Sequence, residues 1–582
     1  MQGTQPTTIK LFMLRCKTTD RCKAAESAPG SMLAGQGFDV VTLQIKPAYV
    51  IDMNTWQRPN GSCTLCQNTL MKKQWQRLPA AVENWRCLKG NSTLSASLYG
   101  SSKAFILDSL TDVGPSWKQG LDLNDSALIV GGTQSEAART VTDRSNQDKF
   151  SFVKQELWRS YYSYSVRKNP PLSPKFAQSI RSLPAQYNDT TQVKYMKFLA
   201  TFGTHSMHKV VLGGRVKSVT SVKTCQATLE GFTEMEVRNC LNVEAAAAAG
   251  VKSPEIKPQR VYCRKATKKQ PNLKTFSRKF NVRFTQVVGG SSGNKTNPLF
   301  SEKNFGKWKK GLTRKPGIID YSLIPLYQLV KDPSRRSGLK LASEDYIQKN
   351  ALKKQCSNNC VQGSTPSSHD PCTCACRPTS HVGSNCCPLQ RSLAHLTVTV
   401  KSASGLWGDV LSKTDAFVKV FAGNQTFQTS VIYNNDDPQW DEEFYLGTVE
   451  LLQMVEVKFE VWDEDDQWFD RQDDLLGSCA TSVKAGSVTS VCPMNHGNFY
   501  FSYTAECAPG LRGTTCSEYS HLNNSSPSSN FKCRMSNYLI LGIKILIPLA
   551  DNLFYLLKSG KNTLTSKTFN LFLDQFLQCR NI

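Results

Sequence analysis

YMKFLATFGTH, residues 195–205, joins two kinds of pattern. Residues 192–202 read as helical, whereas 206–222 read as a strand. In MHKVVLGGRVKSVTSV (207–222) β-branched residues recur and the pair Gly213-Gly214 interrupts them. Paired glycines inside a strand pattern indicate a bend or a bulge. A second pair, Gly289-Gly290, follows another β-rich run. His205 has the chemistry of a general base, but no nucleophile or metal partner accompanies it, so its role reads as structural.

Around this joint lie 582 residues, enough for about three or four domains. Apolar residues make up 40% of the chain, sufficient for ordinary cores. Basic residues outnumber acidic ones, 71 to 46, for a formal net charge of +25. That excess points to an anionic partner. The 21 cysteines argue for disulfides and an oxidising compartment, which favours an anionic membrane surface over nucleic acid. No basic stretch interleaves regularly with aromatics as single-strand binding needs. The odd cysteine count leaves at least one thiol unpaired or bonded to another chain. Sequons at Asn60, Asn91, Asn124, Asn188, Asn294, Asn424, Asn523 and Asn524 are compatible with secretion. The only apolar run in residues 1–22 is Leu11 to Leu14, too short for a signal peptide, and a leader missing from this sequence is expected.

Residues 356–387 hold seven cysteines and few apolar residues, so disulfides must hold the segment together, with an irregular zinc site as the rival. Residues 393–503 alternate apolar and polar residues in LAHLTVTV, DAFVKVFAG and VEVKFEVWD, the pattern of half-buried strands in one β-sandwich. The stretch 521–530 reads as linker. Tyr538 to Leu557 has the length of a membrane span, but Lys544, Pro548 and Asp551 lie inside it, and an extension rather than a span is expected.

Within the sandwich, VWDEDDQWFDRQDDLLG (461–477) gathers seven acidic residues around Trp468 and Phe469. Upstream, Asp409 and Asp415 flank a loop, while Asp463, Asp465 and Asp474 flank the loop after VEVKFEVW. Two loops thus present five carboxylates at one end, the oxygen-rich surroundings that a hard cation such as calcium needs. Asp473 is an alternative to Asp474. This layout resembles the calcium-binding C2 domain over roughly 393–500, and the resemblance implies Ca2+ ligands at Asp409, Asp415, Asp463, Asp465 and Asp474. Trp407, Trp468 and Phe469 at the loop tips are expected to contact membrane, since aromatics partition to the bilayer interface. Trp462 continues the strand and is expected in the sandwich core.

YMKFLATFGTH itself resembles the signature of the membrane-attack-complex/perforin (MACPF) family, through Tyr195, Phe202, Gly203, Thr204 and His205. Ser206 replaces the usual aromatic. CTLCQNTL (63–70), RLPAAVENW (77–85), PPLSPKF (170–176), DPCTCAC (370–376), GLWGD (405–409) and DDLLG (473–477) extend the likeness to cytolytic members. The implied fold is α+β. A MACPF domain (1–352), with a bent, twisted antiparallel sheet flanked by helical clusters, precedes an EGF-like segment (353–390). An all-β C2 domain (391–507) and a C-terminal extension (508–582) follow. The implied activity is calcium-dependent cytolysis in immune defence. Secreted protein, stored in cytotoxic granules, binds phospholipid membrane and assembles into a homo-oligomer ring. The resemblance further implies that two helical clusters, expected near 114–150 and 243–282, refold into hairpins that line a pore. Gly213, Gly214, Gly289 and Gly290 are the implied hinges, and Arg215 an implied subunit contact. Phe280, Val282 and Phe284 alternate with Asn281, Arg283 and Thr285, as a barrel strand should. The alternative is a non-lytic, calcium-dependent membrane-binding or adhesion protein of the same fold. An enzyme is not expected: GGSSG (289–293) matches Gly-x-Ser-x-Gly, but the residues after Ser291 make a poor helix start.

Overall fold

The computed structural model describes residues 17–520 except 20–21, 89, 91, 110–112, 124–125, 253, 270–271, 291–297, 357–359, 361–363, 369, 409–411, 454, 466–472 and 509. Tyr538 to Leu557 and Ser291 therefore lie outside the described residues.

The first half is organised by an eight-stranded antiparallel sheet. Six of its strands matter here: β1 (Gln36–Asp39), β2 (Ser92–Tyr99), β3 (Phe150–Val166), β4 (His205–Lys223), β5 (Arg283–Val288) and β6 (Gly317–Pro325). β3 and β4 run to 17 and 19 residues, far beyond the usual strand. They pair along nearly their whole length. Their neighbours change halfway. β6 pairs with His205 to Gly213 of β4, and β5 with Arg215 to Thr220. The changeover falls at Gly213-Gly214, where bulges interrupt the register between Ser160 and Tyr162 and between Val211 and Leu212. Glycine is required there by space. A Cβ on Gly213 would lie 1.9 Å from the Arg159 carbonyl oxygen, and one on Gly289 (φ +77°) 2.4 Å from the Gly213 carbonyl oxygen.

Helical segments interrupt the chain at the far end of the same strands. α1 (Ser102–Ser109) and α2 (Glu136–Ser145) lie between β2 and β3. At the opposite end α3 (Gln192–Phe202) leads into β4. α4 (Glu234–Ala249) and α5 (Ile256–Lys268) lie between β4 and β5. The clusters therefore occupy 100–149 and 224–282 and begin earlier than the sequence suggested, because β2 stops at Tyr99 and β4 at Lys223. They cover opposite faces of the sheet. Phe105, Ala138 and Val141 pack with Phe150, Phe152 and Val219. Phe232, Val237, Leu241 and Phe276 pack with the alternate residues Val153 and Val222. α4 is well delimited: Thr233 and Glu236 form a reciprocal capping box, and Gly250 closes the helix in the left-handed conformation.

The cysteine-rich segment is stapled as Cys356–Cys372, Cys360–Cys374 and Cys376–Cys386, and Cys387 bonds to Cys225. With all seven cysteines oxidised, no thiolate remains for zinc. Among the described cysteines Cys87 is free.

The second half is a sandwich of two four-stranded sheets. Its strands are β7 (Leu393–Ser404), β8 (Ala416–Ala422), β9 (Gln425–Gln428), β10 (Gln439–Glu450), β11 (Glu456–Asp463), β12 (Asp474–Ser482), β13 (Gly486–Pro493) and β14 (Asn498–Cys507). The orders are β10-β7-β14-β13 and β9-β8-β11-β12. The sandwich does not end at 507. Ala508, Leu511 and Cys516 enter its core, and Cys507 is bridged to Cys516. Trp462 also departs from expectation. Val457, Phe459, Val461 and Asp463 take the inward positions of β11, so alternation turns Trp462 outward. Its ring lies under the Lys419 ammonium, 4.4 Å away.

Candidate functional site

The joint at residues 195–205 is a knot of buried polar contacts. Tyr195 and Phe202 are buried on α3, and the Tyr195 hydroxyl donates to the Pro184 carbonyl (2.8 Å). Gly203 ends the helix at φ +79°, where a Cβ would meet the Phe38 carbonyl oxygen at 2.4 Å. The Thr204 amide donates to that same carbonyl (2.8 Å), and the Thr204 hydroxyl accepts from the Val40 amide (3.1 Å). His205 is wholly buried. Its Nδ1 meets the Thr204 hydroxyl at 2.7 Å and its Nε2 the Trp117 carbonyl at 2.9 Å. A carbonyl only accepts, so Nε2 carries the proton and Nδ1 accepts from Thr204. Burial pushes the imidazole pKa down to about 4, so the ring is neutral near pH 7. The five signature residues thus lock α3, β1, β4 and the Trp117 segment together, with no reacting group at hand.

Arg215, just past the paired glycines, is engaged within the chain: its Nε lies 2.8 Å from Glu156 Oε1 on β3.

The acidic residues of the sandwich converge at one end because β8, β11 and β12 are hydrogen-bonded neighbours. Asp463 is paired with Ala416 on one side and Asp474 on the other, and Asp415 precedes Ala416. Asp463 is buried, and its Oδ1 accepts from the Asp415 amide (2.6 Å). Asp415 Oδ1 accepts from the Asn434 amide (2.6 Å). Asp465 is half-buried and Asp474 exposed. Asp409, Trp468 and Phe469 lie outside the described residues. Trp407 is 52% exposed, its ring edge-on to His496 at 4.9 Å.

Among the described residues no group of three metal-ligating side chains stands close enough to hold an ion. The surroundings nevertheless fit one. A Cβ on Gly408 would fall 1.7 Å from Asp463 Oδ2, so the first loop presses its bare backbone against this carboxylate. The donors are oxygens alone, the set that suits Ca2+.

Three features of this tip were missed by sequence reasoning. Asp436 Oδ1 accepts from the Thr414 amide and hydroxyl (both 3.1 Å), and Asp437 Oδ1 from the Gly405 amide (2.9 Å), so a third loop braces the first. Tyr433 on that loop is 65% exposed, and hydrogen bonding to the Glu464 carboxylate raises its pKa. The run NNDDP (434–438) was the available signal.

A long bent sheet with helical clusters on both faces, joined through a small disulfide-rich segment to a C2-type sandwich, defines a class. The MAC/Perforin domain matches residues 28–356 and the C2 domain residues 394–496, and the chain belongs to the MAC/perforin family. Within it, the chain is similar to Perforin-1 of Homo sapiens, 36% identical over 520 residues, or 87% of this chain and 93% of that protein. Complement component C6 of Bos taurus is 23% identical over 423 residues, covering 67% of this chain and 42% of its own length. Among solved structures, an isolated C2 domain is 33% identical and matched over 98% of its length and 19% of this chain, with a TM-score of 0.17.

Proposed function

We propose that this chain is a calcium-dependent, oligomerising, pore-forming cytolytic protein of immune defence, secreted from granule stores onto target membranes, and not an enzyme. The observation that supports it most is the position of the two helical clusters. Both are inserted at the same end of the longest strands, between β2 and β3 and between β4 and β5. No described helix is long and apolar enough to cross a membrane, and strands are the other way to cross. Each cluster has ample length for two crossing strands of about ten residues.

Ca2+ would be held by Asp409, Asp415, Asp463, Asp465 and Asp474, and when bound would cancel their charge and bridge to lipid phosphate. Trp407, Trp468 and Phe469 would then enter the interface, and exposed Tyr433 would join them there. Gly213, Gly214, Gly289 and Gly290 are the bend about which the clusters swing away. Rings of copies on the surface give the hairpins partners for closing a barrel.

The test is dye release from phosphatidylcholine vesicles, with and without calcium, by the full chain and by an Asp463→Asn/Asp465→Asn variant. Asparagine keeps the acceptor for the Asp415 amide and removes the charge. Release only with calcium, lost in the variant, is expected. Calcium-dependent binding without release would leave the non-lytic alternative instead.

A further inference from the structure

We propose that Cys240 and Cys263 are positioning residues for the second membrane hairpin: a single disulfide that fits the helical cluster and the strand pair it becomes. The proposal rests on the pore-forming reading above. β4 and β5 keep one register from Arg215↔Val288 to Thr220↔Arg283, and the two residue numbers of every pair add to 503. Continued without a bulge, that register sets Cys240 opposite Cys263 and places the turn at Val251-Lys252, next to Gly250.

The spacing also has the right phase. The Ser221 amide donates to the Val282 carbonyl (2.8 Å), which marks odd-numbered residues of the β4 strand as the hydrogen-bonded pairs. Even-numbered Cys240 then falls on a non-hydrogen-bonded pair, where Cα atoms lie about 4.5 Å apart. A disulfide accepts Cα separations of about 4.4–6.8 Å. In the helical form the bridge joins α4 to α5 with its Cα atoms 4.9 Å apart. The bond can therefore stay intact through refolding.

The sequence of α4 already carries the strand pattern. Met235, Val237, Leu241 and Val243 alternate with Glu234, Glu236, Asn242 and Glu244, and Asn239 is the one polar residue on the apolar side. A period of two gives a lipid face and a lumen face, with Cys240 on the lumen side. As a helix the same pattern buries Asn239 and Asn242. The returning strand is less regular, since Arg260 and Arg264 share the lipid side with Ile256, Tyr262 and Ala266. Pattern alone specifies its register weakly, and a covalent tie supplies what the pattern lacks. In the first cluster, the β2–β3 register centres the turn on Asp125-Ser126, after Asn124, all turn-forming residues.

A second residue pair separates the two states. Asn242 Nδ2 and Gln259 Oε1 touch at 2.7 Å in the helical form, yet stand two residues out of register in the hairpin. The full chain is assayed for dye release from phosphatidylcholine vesicles with calcium, without reductant. The unmodified chain is expected to release dye, and peptide mapping of its pores to find Cys240–Cys263 oxidised. A Cys240→Ser/Cys263→Ser/Asn242→Cys/Gln259→Cys chain, oxidised, is expected to bind but release nothing above background, and to recover with reductant. A native bridge found broken in the pores, or full release by the oxidised off-register chain, would overturn the proposal. Binding without release by the unmodified chain would instead remove the pore-forming reading and this proposal with it.

Discussion

The two ends of β3 and β4 are built on opposite terms. At the His205 end, helix, strands and a distant carbonyl meet with every buried polar group of the signature bonded and two backbones in contact. At the Lys223 end, the strands stop short and helices cover what the next strand residues would pair with. One end has a single solution. The other is satisfied only while α1, α2, α4 and α5 stay folded, and α4 carries buried asparagines and a strand-like alternation. A difference of this kind lets one sheet hold fast at one end and change at the other.

The sharpest way to break the contrast is Gly37→Ala. Its Cβ would sit 1.7 Å from the Phe202 carbonyl oxygen, a backbone atom with nowhere to go. A loss above about 4 kcal/mol, seen as collapse of soluble yield or of the urea midpoint, is expected. His205→Ala should cost about 3 kcal/mol, since it leaves a cavity and takes away the hydrogen-bond partner of the Trp117 carbonyl. The pH dependence has a defined sign. Burial lowers the His205 pKa from 6.5 to about 4, so its neutral form belongs to the folded state. That contribution is complete above pH 6.5 and drains away as pH falls towards 4, because the unfolded imidazole takes the proton first. Urea titrations across this range should show the slope, reduced in His205→Gln.

At the labile end, Thr233→Ala removes one half of the capping box and should cost about 1 kcal/mol. Its signature is faster amide exchange in α4 and faster dye release at unchanged vesicle binding. The smallest effect is expected of Trp462→Ala, which gives up a surface cation–π contact of about 0.5–1 kcal/mol and leaves vesicle binding intact. Trp407→Ala should do the reverse, sparing stability and weakening calcium-dependent binding.

Much of this was legible from the chain. The helix–strand joint, the glycine bend and the sandwich follow from spacing, which backbone geometry enforces locally. The bounds of the helical clusters were not legible, because α4 satisfies a period near 3.6 through packing and a period of two through its residue types. Trp462 was misplaced for a simpler reason: alternation fixes two faces but not which is inward, and buried Asp463 decided it. The bracing by Asp436 and Asp437 depends on loops far apart in sequence, which no local pattern reports.

One covalent detail limits how the labile end can move. Cys225 stands two residues past the last residue of β4 and is welded to Cys387 of the small disulfide-rich segment. Each residue that joins a strand advances the chain by about 3.3 Å. The sheet cannot grow beyond Lys223 without drawing that segment after it. In the proposed refolding the stapled module would be cargo on the lengthening strand, a stop-knot on a rope that travels with the line and settles how far it runs out.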